Sequence, residues 1–290
     1  METTLPKQPL SEFLHPRAEL AQCILGGFLR DTRGCDLAQH QRFNHFSASP
    51  LCAVSLLFAG TGRILTQPEH FETPLSVEPM GTALFSGPQS QPTTSWNDGD
   101  INALVVVFYP DAISAMLDRP MEAFLDRSIA IDDLPDGTVF QSLQRSFMTG
   151  DAKRAFEVLQ SDLAPIWRAK RPTQSGFGRM MGDWSRSLML NAALSNSGRS
   201  LRQMQRRVKA ATGQPLKRLQ NYAKAEDAFV LALKEGSEDI AGIAMDAGYS
   251  DQSHMGRYVR AQTGFTPTQL LRGYESDEAF WSYRLMGERY

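Results

Sequence analysis

A repeat with an offset of 51 residues in the second half of the chain constrains the fold more than any other feature of the sequence. The stretch RSLRQMQRRVKAATG at 199–213 resembles YSDQSHMGRYVRAQTG at 249–264. Self-similarity at a fixed spacing is the signature of a duplicated structural unit. The second half is therefore predicted to contain two copies of one unit. The matching pairs are Met204 and Met255, Arg206 and Arg257, Val208 and Val259, Lys209 and Arg260, Ala210 and Ala261, Thr212 and Thr263, and Gly213 and Gly264.

Each copy has the parts of a helix-turn-helix motif. In the second copy, Ala244 is small enough for the next helix to cross closely, and Gly248 supplies the turn. Gly213 and Gly264 stand where helices end in a residue of positive φ, and Ser250 stands in an N-cap position. The predicted helices span 179–187, 189–196, 200–211, 216–234, 239–247, 251–262 and 267–273.

The helix that follows the turn in each copy is predicted to carry a polar outer face suited to DNA. Gln and Arg form bidentate hydrogen bonds with adenine and guanine edges, and a glycine permits close approach. Residues 199–224 hold eight basic side chains and no acidic one, which favours an anionic partner. A merely solvated surface is the alternative, but two copies favour double-stranded DNA. The faces comprise Gln252, Ser253, Gly256 and Arg257 in the second copy, and Arg202, Gln205, Arg206 and Lys209 in the first.

The stretch from Ile243 to Pro267, IAMDAGYSDQSHMGRYVRAQTGFTP, resembles the most distinctive part of the DNA-binding domain of AraC/XylS-type transcriptional regulators. The resemblance covers residues 179–275, about a third of the chain. It implies two helix-turn-helix subdomains that insert into successive major grooves. It also implies that Arg260 and Lys209 hold phosphates.

The first unit departs from the family pattern. Leu194 stands where the scaffold helix usually has a small residue, and Arg199 replaces the aromatic found at Tyr249. The docking geometry of the first unit is therefore less well defined than that of the second. The long helix predicted over 216–234 separates the units, and it would place their reading helices about 34 Å apart, one turn of the duplex.

The first half of the chain has a different pattern, with short apolar runs separated by glycine and proline. The runs at 51–60, 61–65, 81–88 and 101–110 predict a small antiparallel β-barrel or sandwich. Apolar residues at spacings of three or four from Phe140 to Leu163 then predict two helices. The predicted fold class is therefore α+β, a small antiparallel β-barrel with packed helices followed by an all-α domain with two helix-turn-helix subdomains.

Charge divides the chain in the same way. Residues 1–170 carry 13 basic and 20 acidic side chains, whereas residues 171–290 carry 17 basic and 12 acidic. We predict a sensing or dimerisation domain over 1–170 and a DNA-binding domain over 171–290. The sequence KRPTQSGFG at 170–178, which lacks periodicity, is the predicted linker.

The resemblance implies a cupin-like barrel in the first half, which in such regulators often senses a small molecule or mediates dimerisation. A small-molecule effector, a second copy of the chain and RNA polymerase are therefore candidate partners besides DNA. Three residues beside the first strong strand and one in the polar segment at 93–100 are candidates to line a ligand pocket, with packing at a barrel rim as the alternative. They are Arg42, Asn44, His45 and Trp96.

A metal-dependent enzyme of the cupin type with an accessory basic DNA-binding domain is the alternative from another class. His40, His45 and His70 lack the His-x-His pattern with a downstream carboxylate that places three ligands on adjacent strands. No acid pair or nucleophile with a base stands out. We expect no catalytic residue, no metal and no cofactor. A nonspecific nucleoid-type DNA binder is a further alternative.

The cysteines and the apolar runs indicate the compartment. Cys23, Cys35 and Cys52 are odd in number and lack CxxC spacing, so the sequence indicates neither a disulfide framework nor a zinc site. Residues 1–16 lack a basic segment followed by an apolar run, and the longest apolar stretches are too short to cross a membrane. We therefore expect a cytoplasmic protein without a membrane partner.

Overall fold

The first half of the chain forms two antiparallel sheets. The structure, a computed structural model, describes residues 7–65, 74–134, 137–171, 201–235 and 240–287. One sheet has six strands in the order β1-β2-β8-β4-β6-β9, and the other has three in the order β3-β7-β5. The strands are β1 Leu10–Leu14, β2 Ile24–Asp31, β3 Phe43–Phe46, β4 Cys52–Ala59, β5 Gly62–Leu65, β6 Ala83–Ser86, β7 Thr93–Asn97, β8 Asn102–Phe108 and β9 Ser128–Ala130.

The centre of the larger sheet follows from alternating side chains. In β8, alternate residues from Asn102 to Phe108 are buried, as expected for a strand with one face on a core. The register pairs Val54 of β4 with Val106 and Leu56 with Leu104. The four apolar runs identified in the sequence correspond to β4, β5, β6 and β8, so the predicted α+β fold with a small antiparallel β part is confirmed.

Helices of the first half cover the larger sheet. They are α1 Pro110–Leu117, α2 Thr138–Phe147 and α3 Ala152–Lys170. Phe156, Leu159 and Leu163 of α3 are buried in the core that the sheet contributes to, which confirms the predicted face of this helix. Gly27 of β2 allows this approach, because a Cβ atom there would lie 3.2 Å from the Phe156 ring.

The second half of the described chain is helical. The helices predicted from 200 onward match α4 to α8 within one or two residues at most ends, which is the usual uncertainty of helix limits. The predicted helices at 179–187 and 189–196, and the predicted linker from residue 172, lie outside the described residues. We number the described helices α4 Leu201–Thr212, α5 Leu216–Glu235, α6 Ile240–Asp246, α7 Gln252–Thr263, α8 Pro267–Ser276 and α9 Trp281–Gly287.

The start of α7 differs from the prediction. Asp251 is the N-cap, since its side chain accepts a hydrogen bond from the backbone N–H of His254 at 2.7 Å. The prediction of Ser250 as the cap was therefore wrong. The Ser250 hydroxyl lies 2.9 Å from His254 Nδ1 instead. Asp and Ser are both good N-caps, so the sequence alone did not separate two neighbours.

The two halves of the chain share a core. Val208, Leu219 and Tyr222 of the helical half belong to the same apolar cluster as the β-sheet residues, as do Trp281 and Leu285 of α9. A second cluster lies inside the helical half and includes residues of α5, α6, α7 and α8. The predicted domain limits at 170 and 171 thus stay predictions, and the described parts on either side of them are packed against each other.

The C-terminal segment is held against the sheets by polar contacts. Glu278, which follows α8, pairs with the buried Arg30 of β2 at 2.6 Å, and the Arg30 guanidinium lies 5.3 Å from the centroid of the Trp281 ring. The Trp281 indole N–H donates to Asn44 Oδ1 at 2.7 Å. The Ser282 hydroxyl donates to the His45 carbonyl at 2.7 Å. These bonds fix α9 against β3.

The three cysteines are free thiols with buried side chains. Cys52 is fully buried in β4, as its apolar strand predicts, and burial raises the pKa of its thiol and of the Cys23 thiol. In the ranges the structure describes, no helix is long and apolar enough to span a lipid bilayer.

Candidate nucleic-acid interface

The second helix-turn-helix unit is formed by α6, the turn at Gly248 and α7. Ala244 is fully buried where α6 meets the rest of the unit, and the backbone N–H of Tyr249 donates to the Ala244 carbonyl at 2.8 Å. Gly248 has φ of 76°, a value that favours glycine. Met255 and Val259 form the buried side of α7. The small residue, the turn glycine and the apolar side therefore take the places that the sequence indicates.

The opposite side of α7 faces away from the protein. Gln252, Ser253, Arg257 and Arg260 are exposed and Gly256 is partly exposed. A Cβ atom at Gly256 would have no heavy atom within 4 Å. No internal contact in the described structure therefore requires glycine at this position, although glycine in a helix interior costs about 1 kcal/mol relative to alanine.

The cap of α7 fixes the start of this exposed face. Hydrogen bonds from the His254 backbone and the Ser250 hydroxyl lower the pKa of the Asp251 carboxyl. An ionised carboxylate at a helix N-terminus satisfies free N–H groups and is stabilised by the helix dipole. The first turn, which carries Gln252 and Ser253, is thus anchored without using the outward side chains.

Helix α4 presents the corresponding face of the first unit. Arg202, Gln205, Arg206 and Lys209 are exposed, whereas Val208 is 1% exposed on the inner side. Lys209 Nζ pairs with Glu122 Oε1 of the first half at 2.6 Å. The helix that would precede α4, with Leu194 and Arg199, lies outside the described residues, so the predicted departure of the first unit remains a prediction.

The two units are equivalent in atomic detail where each exposed helix ends. Thr212 Oγ1 lies 2.7 Å from the Val208 carbonyl oxygen, and Thr263 Oγ1 lies 2.8 Å from that of Val259. Gly213 and Gly264 have φ of 73° and 83°. The glycine N–H groups donate to the carbonyls of Lys209 and Arg260, both at 2.8 Å. The repeat in the sequence is thus a repeat in structure.

Two of the four candidate ligand residues hold a loop of the sheet domain. The Arg42 guanidinium donates to the Leu37 carbonyl at 2.8 Å and to the Asp98 carbonyl at 2.9 Å. The Trp96 indole N–H donates to the Gln39 carbonyl at 3.2 Å. Their polar atoms thus tie residues 37–42 to the smaller sheet.

The other two candidates, Asn44 and His45, lie where the two halves meet. The Asn44 side chain bonds Trp281 as described above. The His45 ring lies 4.9 Å from Phe265 and 4.9 Å from Phe280, measured between centroids. Burial among these rings lowers the pKa of His45 to about 4, and the charge of Asp277 opposes the shift. His45 is therefore a neutral contact residue at physiological pH.

A cavity of about 260 Å³ lies between the two sheets. Its walls are mainly apolar, and they include residues of both sheets and of α9. Asn44 is the one of the four candidate ligand residues that lines this cavity. The sequence did not indicate the other lining residues, although serine in an otherwise apolar strand, as in β4, is one signal. The lining residues that the sequence did not indicate include Leu25, Phe28, Arg30, Ser55, Val105 and Met286.

No group of three or more His, Cys, Asp or Glu residues within the described ranges is placed to hold a metal ion. His40 and His45 are within those ranges, and His70 is outside them.

A family model described as a helix-turn-helix domain matches residues 194–273. No curated protein matches the chain. A variant of apo ToxT from Vibrio cholerae strain SCE256 is 11% identical, with 85% of this chain and 96% of that chain covered and a TM-score of 0.40. The AraC-like transcriptional activator CuxR is 12% identical, with 96% and 91% covered and a TM-score of 0.27.

A further structure, unsaturated fatty acid bound wild-type ToxT from Vibrio cholerae, is 10% identical with a TM-score of 0.35, and 79% of this chain and 93% of that chain are covered. The identification rests on the domain match, the motif from Ile243 to Pro267 and the geometry of α6 and α7. The chain contains a helix-turn-helix domain that matches over residues 194–273, and its motif from Ile243 to Pro267 resembles that of AraC/XylS-type regulators.

Proposed function

We propose that the protein is a sequence-specific transcriptional regulator that inserts α4 and α7 into successive major grooves of DNA. The observation that carries this proposal is that two helices related by the 51-residue repeat each bury one side and expose a polar, basic side. A major groove admits one α-helix, and its base edges are distinguishable by hydrogen bonding. Two such helices on one chain fit two grooves of one site.

The exposed residues divide into two roles. Base edges carry sequence information, whereas phosphates supply attraction and position the protein. In the proposal Arg260 and Lys209 hold phosphates. The residues assigned to bases are Gln252, Ser253, Gly256 and Arg257 in one groove, and Arg202, Gln205 and Arg206 in the other.

The proposal includes control through the first half of the chain. A mainly apolar cavity with a few polar groups is the usual form of a small-molecule site, and the cavity between the sheets has this form. Asn44 would then touch both the ligand and Trp281. Arg42, His45 and Trp96 do not line this cavity, and their assignment to a ligand pocket stays a prediction from the sequence. Dimerisation through this half, which the resemblance implies, is a further part of the proposal, and RNA polymerase is a further candidate partner.

A mobility-shift assay tests the proposal on the region upstream of the protein's own gene. We expect a complex that survives an excess of random DNA, because base contacts typically favour a specific site by 10³-fold or more. A nonspecific nucleoid-type binder would depend steeply on salt but bind both DNAs alike. The same competition is then carried out with sites that the protein selects from a random library. If random DNA displaces the protein from the upstream region and from the selected sites as well as unlabelled copies of those sites do, the proposal is refuted. Metal analysis of the purified protein tests the cupin-enzyme alternative.

A further inference from the structure

One part of the first half touches the ends of both exposed helices. We call this part the clamp and define it as residues 45–49 and 88–92. Its two segments are joined by a pair of backbone hydrogen bonds. The Ser49 N–H donates to the Gln89 carbonyl at 3.0 Å, and the Gln89 N–H donates to the Ser49 carbonyl at 2.8 Å. The clamp is therefore one hydrogen-bonded piece of the sheet domain.

The turn after α4 is bonded to the clamp through Gln214. This side chain is fully buried, and its Nε2 donates to the carbonyls of Ser49 at 3.3 Å and Gln89 at 3.2 Å. Its Oε1 accepts a hydrogen bond from the Tyr222 hydroxyl at 2.7 Å. Every polar atom of the Gln214 side chain is thus paired. Since a buried amide is costly to leave unpaired, the turn has one favoured position on the clamp.

The turn after α7 contacts the same clamp at the equivalent place. The Ala48 N–H donates to the Gln262 carbonyl at 2.7 Å. Phe265, which stands at the repeat position of Gln214, packs on His45. The turn glycines also approach neighbouring prolines. A Cβ atom at Gly213 would lie 3.2 Å from Pro88 Cγ, and one at Gly264 would lie 3.7 Å from Pro92 Cγ.

We propose that the clamp sets the distance and the angle between the two recognition helices, and so fixes the number of base pairs between the two half-sites. This inference rests on the proposed function. Helix α5 joins the two units and packs on the second one, where Lys224 Nζ donates to the Gly248 carbonyl at 2.9 Å. The clamp adds a support at the C-terminal end of each exposed helix. One inserted base pair moves a half-site by about 3.4 Å and rotates it by about 35°. A rigid pair of helices therefore loses contact in one groove.

The position of the clamp also connects it with the cavity. Phe46, Ser47, Ser49 and Gln89 line the cavity between the sheets. A molecule that fills the cavity would therefore touch the piece that positions both helices. Gln214 and Phe265 are positioning residues, since they would act on DNA only by orienting the helices that precede them, α4 and α7.

The test compares the full chain with Gln214→Leu on DNA sites of altered spacing. A preferred site is first selected from random duplexes with the wild-type protein, and one or two base pairs are then inserted between its halves. Fluorescence anisotropy gives the dissociation constant for each duplex. For the wild-type protein we expect each insertion to weaken binding about tenfold or more. For Gln214→Leu we expect the penalty to fall to about threefold or less, because a turn released from the clamp lets α4 follow its displaced half-site and keep the base contact that the wild-type protein loses.

Trp281→Phe is the matched control. It removes a hydrogen bond of 2.7 Å between the two halves, but one that touches neither turn. We expect this variant to keep the wild-type spacing penalty even if its melting temperature falls. Phe265→Ala loosens the other turn, and it should relax the spacing requirement as Gln214→Leu does. Phe265→Ala replaces Gln214→Leu in the test if circular dichroism shows that Gln214→Leu does not fold.

The outcomes separate the inference from the proposed function. A wild-type protein that selects no preferred sequence would refute the proposed function. A wild-type protein that binds a preferred site, with a full spacing penalty in folded Gln214→Leu and Phe265→Ala, would overturn the clamp alone. Equal relaxation in Trp281→Phe would also overturn it, because the effect would then follow from any weakening between the halves.

Discussion

At the scale of single residues, the proposed interface consists of exposed polar and basic side chains on α4 and α7. Arg257 is exposed on α7 and opposite to the buried Met255 and Val259. Gly256 beside it has open space where a side chain would be. Both features are consistent with the proposal that another molecule approaches this face.

Arg257→Ala tests direct readout of a base. We expect a loss of roughly 1–3 kcal/mol on the preferred site and relaxed preference at one base pair, since a bidentate contact to guanine would be removed. Lys209→Ala should weaken all sequences alike, because a phosphate contact carries no sequence information. Anisotropy titrations on the preferred site and on its single-base variants measure both effects. Identical behaviour of the two variants on specific and random DNA would contradict the assignment.

Gly256→Ala separates folding from binding. The substitution should raise the free energy of unfolding by up to about 1 kcal/mol, because alanine is the better helix former and its Cβ atom meets nothing. Binding to the preferred site should nevertheless weaken, since the added methyl group would lie between helix and DNA. Gly264→Ala is the control for stability, and it should lower the melting temperature because φ there is 83°. Unchanged DNA affinity in Gly256→Ala would remove the argument for close approach.

Glu122→Gln tests the acidic neighbour of α4. The carboxylate pairs with Lys209, so it competes with phosphates for the ammonium group and repels nearby DNA. We expect the variant to bind both specific and random DNA about two- to fivefold more tightly at low salt, with a smaller effect at high salt. Glu19→Gln is the control, because Glu19 pairs with Arg168 of α3. Weaker binding by Glu122→Gln would show that the carboxylate orients Lys209 instead of competing for it.

At the scale of elements, the sequence was informative wherever the burial pattern was periodic. Helices α4 to α8 and strand β8 each have one buried and one less buried side, which leaves a regular pattern. Strands β4, β5 and β6 were predicted as short apolar runs bounded by glycine and proline. Strand β2 is buried along its whole length and contains two glycines and Arg30, so it shows no alternation. Helix α9 is buried on most sides between the two halves, and it was not predicted for the same reason.

The same distinction applies to the candidate site. The exposed face of α7 was predictable because its residues follow a motif in consecutive sequence. The contact between Gln214 and the clamp was not, because the Gln214 amide meets the backbone carbonyls of Ser49 and Gln89 from a distant segment of the chain. His45 was selected as a polar residue near a strand, yet its contacts with Phe265 and Phe280 depend on tertiary packing that the sequence pattern does not contain.

At the scale of the whole molecule, the two halves are held together by polar bonds in an apolar setting. The pairs formed by Arg30 with Glu278 and by Asn44 with Trp281 close the same contact in which His45 is buried. Breaking a buried pair costs more than breaking an exposed one, because the remaining partner is left without water. This contact therefore makes the position of the helical half dependent on the sheet domain.

The burial of His45 predicts how stability depends on pH. Its pKa is lowered from 6.5 to about 4 in the folded protein, so below pH 6.5 the unfolded chain binds this proton more tightly than the folded one. Stability should therefore fall as the pH drops from about 6.5 to about 4, by up to about 1.4 kcal/mol per pH unit. Urea unfolding at pH 7 and pH 5 measures this. His45→Phe keeps an aromatic ring but has no titrating group, so its free energy of unfolding should fall less between pH 7 and pH 5 than that of the wild-type protein. An equal fall in the two proteins would show that His45 is not the cause.

Methylation protection of guanines in the major groove tests the central claim most directly. With the full chain on its selected site, the account predicts two protected patches on one face of the duplex, about 10–10.5 base pairs apart. Arg257→Ala should expose guanines in one patch only, and Arg206→Ala guanines in the other only. A single patch, or loss of both patches together in either variant while binding persists, would contradict the insertion of two separate helices into successive grooves.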